Sequence, residues 1–186
     1  MASATDPFVA QLARNAGSAF DTSDMDHDGY LDHHDMSVAA EALCDRLGLA
    51  DPSPQRDLVL SAYERSWRSA AEVIDFDGDG RISRDDYIQH VHSPHLDRTA
   101  FVAQVVWPIT DALWDALDAD GDEKLNRPEY LRLWAAFDVE GPSAREAFEM
   151  LDANRDGRLS KDEFAQAMYD FYYKPERATV PILGRP

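Results

Sequence analysis

Four twelve-residue stretches constrain this 186-residue chain more than any other feature. They are 24–35 (DMDHDGYLDHHD), 75–86 (DFDGDGRISRDD), 118–129 (DADGDEKLNRPE) and 152–163 (DANRDGRLSKDE). Each has oxygen-bearing side chains at positions 1, 3, 5, 9 and 12 and an apolar residue at position 8: Leu31, Ile82, Leu125 and Leu159. A tightly turned loop with acids on alternate residues points them inward, where a hard divalent cation takes six to eight oxygens at about 2.3–2.6 Å. Carboxylates are 36 of the 186 residues, so chance supplies only about 0.1 windows with acids at positions 1, 3, 5 and 12 and an apolar position 8. Three windows match strictly, and the fourth has Asn154 at position 3.

This spacing is that of the EF-hand calcium loop, which predicts the ligands residue by residue. The first loop offers Asp24, Asp26, Asp28, the Tyr30 carbonyl, Asp32 and Asp35. The second offers Asp75, Asp77, Asp79, the Arg81 carbonyl, Ser83 and Asp86. The third offers Asp118, Asp120, Asp122, the Lys124 carbonyl, Asn126 and Glu129, and the fourth Asp152, Asn154, Asp156, the Arg158 carbonyl, Ser160 and Glu163. Asp at position 12 of the first two loops is one methylene shorter than the usual Glu, which favours six-fold coordination and tolerance of Mg²⁺ there. Glu123 stands where Gly would ease a positive φ, at a cost of about 1 kcal/mol. The fourth loop breaks no rule and is expected to be the best calcium site.

Apolar residues four before the loops (Phe20, Ala71, Trp114, Phe148) and directly after them (Met36, Tyr87, Tyr130, Phe164) predict an entering and an exiting helix for each loop. The expected helices are 7–22, 33–48, 54–74, 84–92, 97–117 with a break or kink at Pro108, 127–137, 142–151 and 160–173. The fold class is therefore all-α: four helix-loop-helix units in two pairs, packed as one globule, with short β bridges joining position 8 of loop one to loop two and of loop three to loop four. Ser93-Pro94 divides the chain into an N-terminal pair, 1–92, and a C-terminal pair, 93–186, the latter with a tail at 174–186. Four Trp, seven Tyr and eight Phe are expected to fill a shared core rather than line a ligand cavity.

The formal charge of −18 disfavours nucleic acid and anionic membrane surfaces and favours cations as partners. The N-terminal residues show no basic region leading into an apolar run, and the one cysteine, Cys44, lies in an apolar helical stretch. A soluble, cytoplasmic monomer is expected. No nucleophile elbow, zinc-protease, redox or phosphate-loop motif is present, and the paired acids are already assigned as ligands, so no enzyme activity is expected. His90, His92 and His95 could converge on a transition metal, but polar surface at a helix end is the favoured assignment.

Four such loops with uneven linkers, Asp at position 12 of the first loop and many aromatics make the chain resemble the sarcoplasmic calcium-binding proteins, including their calerythrin-like prokaryotic members. The resemblance implies two EF-hand pairs in one globule and calcium and magnesium binding for buffering or signalling. Two alternatives stand beside a buffer: a sensor that exposes an apolar groove to a partner, which five methionines argue against, and a photoprotein or luciferin-binding protein with an internal cavity.

Overall fold

The computed structural model describes residues 7–75, 77–91, 93, 95, 97–136 and 141–174. Position 9 of each loop starts the next helix, because its side-chain oxygen accepts a backbone N–H from the first turn. Asp32 accepts from His34 (2.7 Å) and Asp35 (3.4 Å), Ser83 from Asp86 (3.2 Å), Asn126 from Glu129 (3.2 Å) and Ser160 from Glu163 (3.2 Å). The first unit is α1 (Pro7–Ser23), β1 (Tyr30–Leu31) and α2 (His33–Arg46); the second is α3 (Pro54–Ile74), β2 (Ile82–Ser83) and α4 (Arg84–Val91). The third contains α5 (Arg98–Phe101), a π-helical stretch (Val102–Val106), α6 (Trp107–Leu117), β3 (Lys124–Asn126) and α7 (Arg127–Ala136). The fourth is α8 (Gly141–Leu151), β4 (Arg158–Ser160) and α9 (Lys161–Tyr173). Ser53 caps α3 with Pro54 in its first turn, and α2 stops two residues earlier than expected, where Gly48 takes φ +71 and turns the chain. Residues 137–140 and most of the tail, 175–186, lie outside the described residues.

The expected bridges form. Leu31 pairs antiparallel with Ile82, and Leu125 with Leu159, with all four side chains buried. Within each pair the exiting helix of one unit meets the entering helix of the other. Phe20 packs edge-on against Tyr87 at 5.8 Å between centroids, and Trp114 meets Phe164 at 5.2 Å and Phe148 meets Tyr130 at 5.4 Å with tilted rings, so the residue four before one loop meets the residue directly after its partner. Position 10 of every loop also reaches the partner's entering helix: His33 hydrogen-bonds Glu64 (2.6 Å), and ion pairs join Arg84 to Asp21 (2.7 Å), Arg127 to Glu149 (3.2 Å), and Lys161 to Asp111 and Asp115. Gly17 leaves room for the Arg84 guanidinium, which a Cβ there would meet at 2.4 Å.

One apolar core runs through both pairs, with Phe20, Ile74, Trp114, Tyr130 and Phe148 almost fully buried. Most of the described aromatics lie in this core or pack against it, Tyr30 being exposed, and Cys44 is buried within it. The pairs meet where α3 packs along α6 and the π-helical stretch. Here the expectation of a break at Pro108 is corrected. The helical path continues through Pro108, and the irregularity lies just before it, where Trp107 N–H donates to Val102 five residues back. Inserting one residue into the turn reroutes the ladder ahead of the proline, which has no N–H to give. Ser66 on α3 donates its hydroxyl to the Val105 carbonyl (2.6 Å), and Thr110 donates to Val106 (3.1 Å). Ser66 is only 3% exposed, so Ser66→Ala should remove a part-buried hydrogen bond that ties α3 to this stretch. We expect the thermal midpoint to fall by about 4 °C, measured by calorimetry.

Candidate metal centres

Each loop is built around its position-1 aspartate. One oxygen of that carboxylate accepts the N–H of position 6: Gly29 to Asp24 (3.0 Å), Gly80 to Asp75 (2.9 Å), Glu123 to Asp118 (2.8 Å) and Gly157 to Asp152 (2.9 Å). This closes the turn and requires the left-handed backbone expected at position 6, where Glu123 sits at φ +64. Position 4 is left-handed as well, in His27 (φ 60) and Arg155 (φ 60), two bulky residues that give no hint of this in the sequence.

The ligand-position carboxylates converge in three loops. Oxygens of Asp24, Asp26 and Asp35 lie within 4.8 Å of one another, as do those of Asp75, Asp77 and Asp79, and those of Asp118, Asp120 and Glu129. Asp24 is 7% exposed, and its Oδ1 is buried with no hydrogen-bond partner among the described residues. A buried anionic oxygen without a donor is costly unless a cation meets it, so the donor set of this loop fits a divalent ion. In the fourth loop Asp156 N–H donates to Asp152 (3.1 Å) and to Asn154 (2.8 Å), so the same turn is present with an amide in place of one acid.

Position 12 separates the loops. Glu129, 4% exposed, accepts from Ala119 N–H (3.0 Å) with one oxygen and Asn126 N–H (2.9 Å) with the other, which ties both ends of the third loop to the first turn of α7. Glu163 accepts from Asn154 N–H (3.3 Å), Ser160 N–H (2.9 Å) and the Ser160 hydroxyl (2.8 Å). Burial alone would raise the Glu163 carboxyl, yet these donors hold it below its ordinary value, so it is ready to bind as an anion. In the first loop Asp35 makes the corresponding bonds to Met25 (2.9 Å) and Asp32 (2.9 Å), showing that an Asp can reach across when the loop is tight. Asp86 does not. It is exposed, lies outside the second loop's carboxylate cluster, and accepts the Ser83 hydroxyl (2.6 Å) instead. Asp86→Glu should bring position 12 into that loop and tighten its calcium binding about tenfold in a calorimetric titration.

Position 7 contributes more than the backbone carbonyl assigned to it. Lys124 pairs with Asp156 across the bridge (2.6 Å), Arg158 pairs with Asp122, and Arg81 lies 3.8 Å from Asp28 and over the Tyr30 ring. The hydrogen bond from Lys124 holds the Asp156 carboxyl below its usual range, and the same bond raises Lys124. No sequence motif signals these contacts, because they join loops 32 to 53 residues apart. His90, His95 and Asp97 border a cleft of about 150 Å³, but they form no metal-holding cluster among the described residues, and His92 lies outside those residues.

Residues 109–169 match the EF-hand domain pair. Calerythrin of Saccharopolyspora erythraea is 25% identical over 166 residues, covering 89% of this chain and 93% of that protein. A Streptomyces coelicolor calcium-binding protein, solved to explain prokaryotic calcium-mediated regulation, superposes with a TM-score of 0.73 at 29% identity, covering 87% of this chain and 97% of that one. The amphioxus sarcoplasmic calcium-binding protein (TM-score 0.71, 15% identity, 94% and 97% covered) and the photoprotein clytin (0.73, 18%, 97% and 95%) share the fold. With its four loop units, two β bridges and single core, the chain has an EF-hand fold and is similar to calerythrin along most of its length.

Proposed function

We propose that the chain is a calcium buffer or calcium-signalling protein that stays closed when it binds, with loops one, three and four as its principal calcium sites and loop two the weakest. The convergence of position 1, 3 and 12 oxygens in loops one and three carries this assignment, and the pre-formed turn of loop four extends it. Loops one and two, with Asp at position 12, are the sites proposed to accept Mg²⁺ in competition. The proposed ligands are those expected from the spacing, with Asp86 displaced from loop two.

The shared core favours a closed molecule. A sensor opens each pair to expose a groove, but here the apolar faces of the two pairs are buried against each other along α3 and α6, so opening would have to break the core itself. The large apolar residues exposed among the described residues (Met25, Tyr30, Leu58, Val73, Met150) are spread over the first loop, β1, the two ends of α3 and α8 rather than gathered on one helix face. Calorimetric titration with Ca²⁺, with and without millimolar Mg²⁺, tests the assignment. Three calcium sites, with loop one weakened by Mg²⁺, are expected, and fewer than two would overturn it. Calcium-dependent binding of an apolar dye would favour the sensor. The described helices include none long and apolar enough to cross a membrane.

A further inference from the structure

The position-5 carboxylates do not all behave alike, and the difference follows the residue facing them across the β bridge. Asp28 and Asp122 lie outside the carboxylate clusters of their own loops. Each is paired with a cation at position 7 of the partner loop, Arg81 at 3.8 Å and Arg158 in contact, and Asp156 of the fourth loop is held by Lys124 at 2.6 Å. The loop that partners Asp79 has Tyr30 at position 7 instead of a cation, and Asp79 stays with Asp75 and Asp77. The register explains the reach. The bridge sets Tyr30 opposite Ser83 and Arg158 opposite Asn126, and position 8 points into the core, so position 7 projects outward over the partner loop.

We propose that Arg81, Lys124 and Arg158 are internal counter-cations that compete with the bound metal ion for the position-5 carboxylates of their partner loops, and so set the calcium affinity of loops one, three and four. This inference rests on the calcium assignment of those loops. A contact made in the metal-free chain and given up on binding stabilises the free state, and by linkage it weakens binding by the same factor. The second loop has no such competitor among the described residues and is limited by Asp86 instead.

Arg158→Gln, Lys124→Gln, Arg158→Lys and Tyr30→Lys are titrated with CaCl₂ after chelation, and their thermal midpoints are measured in chelator. Removing one partly exposed pair is expected to tighten one site about threefold in each Gln variant and to lower the chelated midpoint. Arg158→Lys should match the wild type, and Tyr30→Lys should weaken one site by drawing Asp79 away. Unchanged or weaker calcium binding in both Gln variants, with wild-type uptake intact, overturns the inference alone. A wild type that takes up no calcium overturns the proposed function and this inference with it.

Discussion

Chelating calcium from the saturated protein should lower its thermal midpoint by about 20 °C. Each site filled at a hundred times its dissociation constant adds about 2.7 kcal/mol to the folded state, so three sites add about 8 kcal/mol. For a chain of 186 residues each kcal/mol moves the midpoint by about 2–4 °C. Part of this comes from the loops themselves. The ligand positions hold sixteen of the 36 carboxylates, and the remaining twenty nearly balance 18 basic residues, so the excess negative charge is concentrated in four places. Without cations each of those concentrations opposes its own turn. Scanning calorimetry with and without excess chelator measures the shift, and a midpoint indifferent to chelator would show that the acids are not ligands.

The second large effect is expected from Glu129→Gln. This side chain has an oxygen within 4.8 Å of those of Asp118 and Asp120 while its two oxygens accept N–H groups from Ala119 and Asn126. The amide keeps the volume but removes one of the loop's four ligand-position carboxylates and turns an NH₂ toward a backbone donor. Calcium binding at the third loop should weaken about a hundredfold, and the number of sites seen by calorimetry should fall by one. The same change at Asp86 should leave the count unaltered, because that carboxylate stands outside its loop.

The repeat and its architecture were legible because each helix-loop-helix unit is specified locally. Position 9 caps, position 8 bridges and the flanking aromatics are short-range features, and the helices fall within one or two residues of where the spacing puts them. Two features were not legible for the same reason. Whether an Asp at position 12 reaches its loop depends on how tightly the loop closes, so Asp35 and Asp86 look alike in sequence and differ in place. The side chains at position 7 look idle until the β bridge sets Lys124 beside Asp156 and Arg158 beside Asp122. The irregularity near Pro108 was visible as a proline, but the hydroxyl that meets its Val105 carbonyl comes from Ser66, 39 residues before Val105 on another helix.

The joint between helices in the C-terminal pair is nearly symmetric. Trp114 with Asp115 on α6 receives Phe164 with Lys161 from α9, and Phe148 with Glu149 on α8 receives Tyr130 with Arg127 from α7. A single unit thus carries both a socket and a plug, and its own plug belongs in the other unit's socket. Tyr130 takes beside Phe148 the place that Phe164 takes beside Trp114. A chain assembled by doubling such a unit would start with an interface that already fits, and the unequal residues now at the four joints would be later refinements of one contact.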